Sequence, residues 1–272
     1  MLGKLIKYDL KYMNRFLILI HVFFLAASLC IRLFLTGPLL QSGTDFSDGK
    51  FVLPVTLTFS FYILLATGVY FATYLVAIIR FYKNLFSDQG YLTQTLPVTT
   101  GQHLLAKTLS GCIWGCINML LIYLSIYMIV GTPYVIDNLQ ANKAEILTAM
   151  GFQADLSLWV IFLFLLTISL LGVISNLVMY YASIAMGQLV PGHRILGAIA
   201  VYFVMNTLLS IATAILFALT GLLSAQFQQA GEVNMADYMM DTFLFSGIIA
   251  SILTVILYIA TYWIMKKKVN LE

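Results

Sequence analysis

Charge is scarce in this chain. Only 9% of its 272 residues are charged, whereas a soluble domain carries about a quarter, so an ordinary water-soluble globule is excluded. Six apolar stretches, 16–36, 51–79, 108–131, 157–186, 195–221 and 243–265, contain no Asp or Glu. Proton-coupled carriers, intramembrane aspartyl proteases and carboxylate metal sites all need acids at that depth, and this sequence does not supply them. Cysteine is equally sparse. Cys30, Cys112 and Cys116 all fall inside apolar stretches, which excludes an extracellular disulfide framework. Cys112 and Cys116 share one helix face, but two thiols alone do not make a zinc site. His21 has no second histidine or acid at ligand spacing and reads as a hydrogen-bonded packing residue. A membrane-embedded enzyme would leave its nucleophile without a base.

Hydrocarbon-compatible sequence is abundant: 61% of the residues are hydrophobic. About 20 mostly apolar residues cross a bilayer, and each of the six stretches is long enough. In lipid every backbone donor needs an internal partner, so all six must be helical. The fold class is therefore an all-α integral membrane protein with six transmembrane helices. The second and fourth stretches exceed the minimum length and have room to tilt or to project beyond the bilayer.

Charge placement predicts the orientation. Lys4, Lys7, Lys11, Arg15, Arg80, Lys83, Lys107, Arg194, Lys266, Lys267 and Lys268 fall on one side if the helices alternate, leaving Arg32, Lys50 and Lys143 toward the other. The positive-inside rule then puts both termini in the cytoplasm of a cell membrane. Asp45, Asp48, Asp137, Glu145, Asp155, Glu232, Asp237 and Asp241 divide to the outside. The net charge of +3 is thus a signal of topology and gives no reason to invoke nucleic acid. Trp159 and Trp263 fall near opposite span ends, where interfacial anchors belong.

The first 15 residues precede an apolar run too long for a signal-peptide core, and the segment is expected to stay uncleaved. Leu2, Leu5, Ile6, Leu10 and Met13 recur at helical spacing, with Lys4, Lys7, Lys11 and Arg15 on the opposite side. This predicts an amphipathic helix over 1–15, lying in the headgroup layer before the chain turns into the membrane. A basic topology anchor with no further role is the simpler alternative. Residues 222–242 place Phe227, Val233, Met235, Tyr238 and Met239 among polar residues, a pattern that predicts a second amphipathic segment outside the membrane.

Residues 80–107 form the one substantial polar segment on the basic side. Leu85, Phe86, Tyr91, Leu92 and Leu96 are too apolar for a purely solvated loop and suit a partner's groove. Asp88 is the segment's only acid and suits a basic partner residue. Gly90 and Pro97 are expected to set turns, and Ser87 to cap a short helix lying along the membrane. Gly101 to Thr108 approaches the phosphate-loop pattern, with Ala106 where the second glycine belongs. That pattern needs a preceding strand, yet Pro97 and a transmembrane helix flank it, and no acidic partner strand exists. The same residues read as a helix start with Thr99 or Thr100 as N-cap. Two small-residue pairs, Gly68 with Ala72 and Gly111 with Gly115, offer close helix packing in the second and third spans.

The run from Phe81 to Val98, followed by Ala106 and Lys107, resembles the second-to-third helix loop of bacterial ABC-2-type permeases. Tyr180 to Leu189, a short basic turn and Ile195-Leu196-Gly197 resemble that family's fourth-to-fifth connection. The resemblance covers 1–272 as a single permease domain. It implies the transmembrane subunit of an ATP-driven exporter in the bacterial cytoplasmic membrane, with ATP and magnesium bound by a separate ATPase subunit and none in this chain. It also implies a second permease, identical or paralogous. The element that couples to the ATPase in that family corresponds here to Leu85, Phe86, Asp88, Gln89, Gly90, Tyr91 and Leu92. Chain size resembles that of exporters of amphipathic peptides, including those that confer lantibiotic immunity, and acid-free spans suit a hydrophobic or amphipathic cargo. A motor-independent membrane protein that binds a membrane-active peptide is the competing reading.

Overall fold

A computed structural model describes residues 1–36, 49–150, 152, 154–219 and 235–267 of the chain. Among these residues all regular structure is helical. In chain order the helices are α1 (Leu2–Thr36), α2 (Gly49–Leu85), α3 (Asp88–Gln94), α4 (Thr100–Val130), α5 (Pro133–Ala141), α6 (Lys143–Ala149), α7 (Leu158–Gly187), α8 (Arg194–Leu219) and α9 (Met235–Lys267). Six of them, α1, α2, α4, α7, α8 and α9, are long and apolar enough to cross a membrane. They coincide with the six stretches expected from sequence. The chain is a multi-pass membrane protein. Large apolar side chains such as Leu19, Phe23, Leu64 and Phe203 are exposed on these helices, as they would be where lipid is the solvent.

The helix starts follow local capping chemistry. At α4 the Thr99 N–H donates to Gln102 Oε1 (3.2 Å) and the Gln102 N–H donates to Thr99 Oγ1 (3.3 Å). This reciprocal capping box makes Thr99 the N-cap. Thr132 caps α5 by accepting from Val135 N–H, with Pro133 at the first helical position. Ser157 caps α7 by accepting from Trp159 N–H.

One expectation needs correction, and two connections need description. α1 is one unbroken helix from Leu2 to Thr36, with no turn between residues 15 and 16. No glycine or proline falls between Gly3 and Gly37, so nothing in the sequence interrupts the backbone ladder. In its first turns Met13 is buried, Leu2, Leu5, Ile6 and Leu10 are half-buried, and Lys4, Lys7, Lys11 and Arg15 are exposed. The connection between the third and fourth spans is itself helical, as α5 and α6, and Leu147 packs there with Phe152 and Ile161. Of the predicted amphipathic segment 222–242, residues 222–234 lie outside the described residues, and from Met235 onward the chain is continuous with α9.

The helices group into two compact units, one of Gly3–Arg80 and Leu109–Asn142, the other of Met1–Leu2, Phe81–Thr108 and Lys143–Glu272. In the first unit, Phe24, Ile31 and Leu35 of α1, Tyr62 and Val69 of α2, and Ile129 of α4 form one apolar cluster. Polar bonds join the same helices. Tyr62 and Ser125 hydroxyls meet at 2.6 Å, Arg32 donates to the Met128 carbonyl, and Trp114 Nε1 donates to Asn14 Oδ1 at 3.1 Å. His21 is a packing residue, as expected. Its Nδ1 lies 2.7 Å from the Leu17 carbonyl and its Nε2 lies 3.0 Å from the Asn118 side chain.

In the second unit α7 packs on both α8 and α9. The hydroxyl of Thr254 in α9 donates to that of Ser175 in α7 at 2.8 Å, and Tyr180 stacks on Tyr202 with ring centroids 5.0 Å apart. Gly187 and Gly197 set the closest approach. A Cβ on Gly187 would lie 2.4 Å from the Ala198 backbone nitrogen, and one on Gly197 would lie 2.9 Å from Val190. Gly192 in the connecting turn has φ of +82°, a left-handed conformation that favours glycine.

Candidate functional site

The polar connection between α2 and α4 forms a defined structure. Phe86 N–H continues the helical pattern by donating to the Tyr82 carbonyl (2.9 Å), and Gly90 N–H donates to the Ser87 carbonyl (2.6 Å). The seven-residue α3 follows. The chain then reverses at Pro97, where Val98 N–H donates to the Leu96 carbonyl at 2.7 Å, a γ-turn centred on the proline. A short helix between the second and third spans was expected, and Pro97 makes the predicted turn.

The expected contact residues separate into two groups. Leu85 and Phe86 are buried, at 3% and 5% exposure, whereas Tyr91 and Leu92 are each 69% exposed. Phe86 packs against Phe81, with ring centroids 5.6 Å apart. Phe81 in turn stacks on Tyr181 of α7 at 3.9 Å with the rings nearly parallel. The Tyr181 hydroxyl donates to the Lys107 carbonyl at 3.3 Å. Leu85 and Phe86 are therefore turned into the protein as the anchor of the connection and are not part of its outer surface. Tyr91, Leu92 and Leu96 provide the exposed apolar side, with Gln89 also exposed.

Two local readings change. Gly90 lies within α3 and is buried, so it makes no turn there. Ser87 occupies the N-cap position of α3 but makes no side-chain cap; its hydroxyl donates back to the Lys83 carbonyl at 2.5 Å. Asp88 opens α3, and its side chain lies outside the described residues. The near-phosphate-loop from Gly101 to Thr108 is α-helical throughout. Lys107 within it is 4% exposed, so these residues do not form a loop of amides that cradles a phosphate.

Arg80 holds the feature that the sequence reading missed. Its Nε donates to Asp9 Oδ1 at 2.9 Å, in an ion pair whose side chains are 18% and 4% exposed respectively. The guanidinium also lies over the Tyr12 ring, 4.5 Å from its centroid. One buried pair with an aromatic face thus ties α1 to α2 within the first unit. A sequence signal was present. Asp9 sits four residues from both Leu5 and Met13, on the apolar stripe where an acid requires a partner.

The small-residue pairs differ in environment. Gly111 and Gly115 are buried. A Cβ on Gly68 would meet nothing within 4 Å, so no described part of this chain packs against that position. Among the described residues no group of three or more His, Cys, Asp or Glu side chains is placed to hold a metal ion. Comparison with family models, curated proteins and solved structures finds no match for this chain.

Proposed function

We propose that this protein is the membrane subunit of an ATP-driven exporter, working with a separate ATPase. The observation that carries the proposal is α3. It is a short helix between two spans, anchored by buried Leu85 and Phe86, with Tyr91 and Leu92 held out to solvent. Two neighbouring large apolar side chains at 69% exposure outside the spans suit a protein partner better than water. The basic flanks of the spans support a cytoplasmic position for this connection and both termini, the side on which an ATPase would be found. The exposed face of α1, with Lys4, Lys7, Lys11 and Arg15, would lie among anionic headgroups.

In this reading ATP-driven closure of two ATPase subunits pulls on α3, and α2 and α4 carry the motion into a pair of permease chains. The pair then switches between inward-open and outward-open packings. A second copy or a paralogue supplies the other half. The cargo is hydrophobic or amphipathic, with a peptide the best match to acid-free spans. Gly68, with open space beside it, is available to a second chain.

The test is ATP-dependent uptake of a fluorescent amphipathic peptide into inside-out vesicles from the native membrane. Uptake that needs both ATP and this chain supports export. Peptide binding that is independent of ATP supports the competing reading, a motor-independent immunity or binding protein.

A further inference from the structure

Within the second unit an open cleft of about 220 Å³ lies beside the start of α4. Its apolar lining comes from Leu85, Phe86, Val98 and Met265, and its polar lining from Thr100, His103 and Lys266. No carboxylate of the described residues lines it. His103 is only 5% exposed, so an imidazole is built into the wall rather than carried on the surface. The Lys266 ammonium lies over the Tyr262 ring, 5.8 Å from the centroid, which holds the cation near this part of the protein. The Tyr262 ring packs beside Gly101. A Cβ there would come within 3.4 Å of the Tyr262 ring.

One small cleft lined by both polar and apolar side chains matches a ligand that carries an anionic head on an apolar stem. A lysine, a buried imidazole and a threonine hydroxyl are donors suited to phosphate oxygens. Thr100 lies in the first turn of α4, the end of a helix that carries positive potential. Basic clefts between membrane helices at the cytoplasmic end are where anionic headgroups bind.

We propose that this cleft binds a phosphate-bearing anion, supplied by an anionic phospholipid headgroup or by free phosphate. It stands apart from the exposed α3 face and does not depend on the exporter reading. The test uses the full chain in neutral detergent and counts bound molecules by native mass spectrometry. The probes are short-chain phosphatidylglycerol, short-chain phosphatidylcholine and inorganic phosphate.

Phosphatidylglycerol should bind in preference to phosphatidylcholine. Lys266→Gln should weaken it about fivefold, as for loss of one surface charge, while Lys266→Arg should retain it and Arg194→Gln should leave it unchanged. His103→Gln should weaken it as well. Because Lys266 is exposed, the Lys266 variants decide the matter even if His103→Gln fails to fold. Inorganic phosphate that binds as tightly and competes would make free phosphate the occupant. Phosphate that competes only weakly would make it the lipid. Equal binding of the two lipids, or binding unaffected by Lys266→Gln, would overturn the proposal.

Discussion

Asp9 and Arg80 make a testable bond at the scale of single residues. Removing one partner of a buried pair strands the other, at a cost of about 3–5 kcal/mol. Asp9→Leu should therefore lower the thermal midpoint of the purified protein sharply. The double variant Asp9→Leu with Arg80→Leu should recover much of the loss, and a cycle of the four proteins should show coupling of about 1–3 kcal/mol. Additive losses would mean that the pair contributes nothing as a pair. The surface residues behave oppositely. Tyr91→Ala and Leu92→Ala remove exposed side chains, so stability should change by less than about 0.5 kcal/mol. Phe86→Ala empties a buried site and should cost about 3–5 kcal/mol, so a loss of partner binding in that variant would report folding rather than docking. Sequence alone made Phe86 and Tyr91 look equivalent, since both are aromatic residues in one polar segment. Their difference comes from Phe81 and Tyr181, and Tyr181 is far away in the chain. Asp9 was closer to legible, because an acid on an apolar stripe at i±4 spacing calls for a cation, although the sequence does not say which one.

At the scale of elements, the α7–α8 junction is the place where packing leaves no room. Gly187→Ala would put a methyl group within 2.4 Å of the Ala198 backbone nitrogen. Backbone cannot step aside as a side chain can, so the substitution should destabilise by about 1–3 kcal/mol or more, measured as a fall in thermal midpoint. Gly68→Ala, with nothing within 4 Å, should be neutral or slightly stabilising for the single chain, since alanine is the better helix former by about 1 kcal/mol. If Gly68→Leu leaves the midpoint unchanged but abolishes a dimer detected by crosslinking, the open side of α2 faces a second copy. The helices themselves were legible because a span needs one long apolar run, and each run stands out against the few charges. The small-xxx-small spacing did not tell which glycines pack closely. Gly187 and Gly197 sit on two different helices, and only the short turn between those helices brings them together. The helical connection α5–α6 was missed because its polar residues mask the capping by Thr132 and Pro133.

At the scale of the whole molecule, we propose that a largely apolar chain contributes helices and a docking element while another protein contributes ATP hydrolysis. No acid lies in the apolar stretches, the described residues hold no strand on which a nucleotide site could be built, and the near-phosphate-loop is helical. In the proposed reading, the surface offered to a partner is the outer side of α3. The most direct measurement is affinity purification of the tagged full-length chain from its native membrane, followed by an ATP hydrolysis assay of what co-purifies. The account predicts a soluble ATPase with the wild-type chain, and at least tenfold less of it with the Tyr91→Ala, Leu92→Ala double variant, equivalent to about 1.4 kcal/mol or more. Recovery of the wild-type chain with no ATPase, or of the same amount of ATPase with the double variant at equal stability, would contradict it.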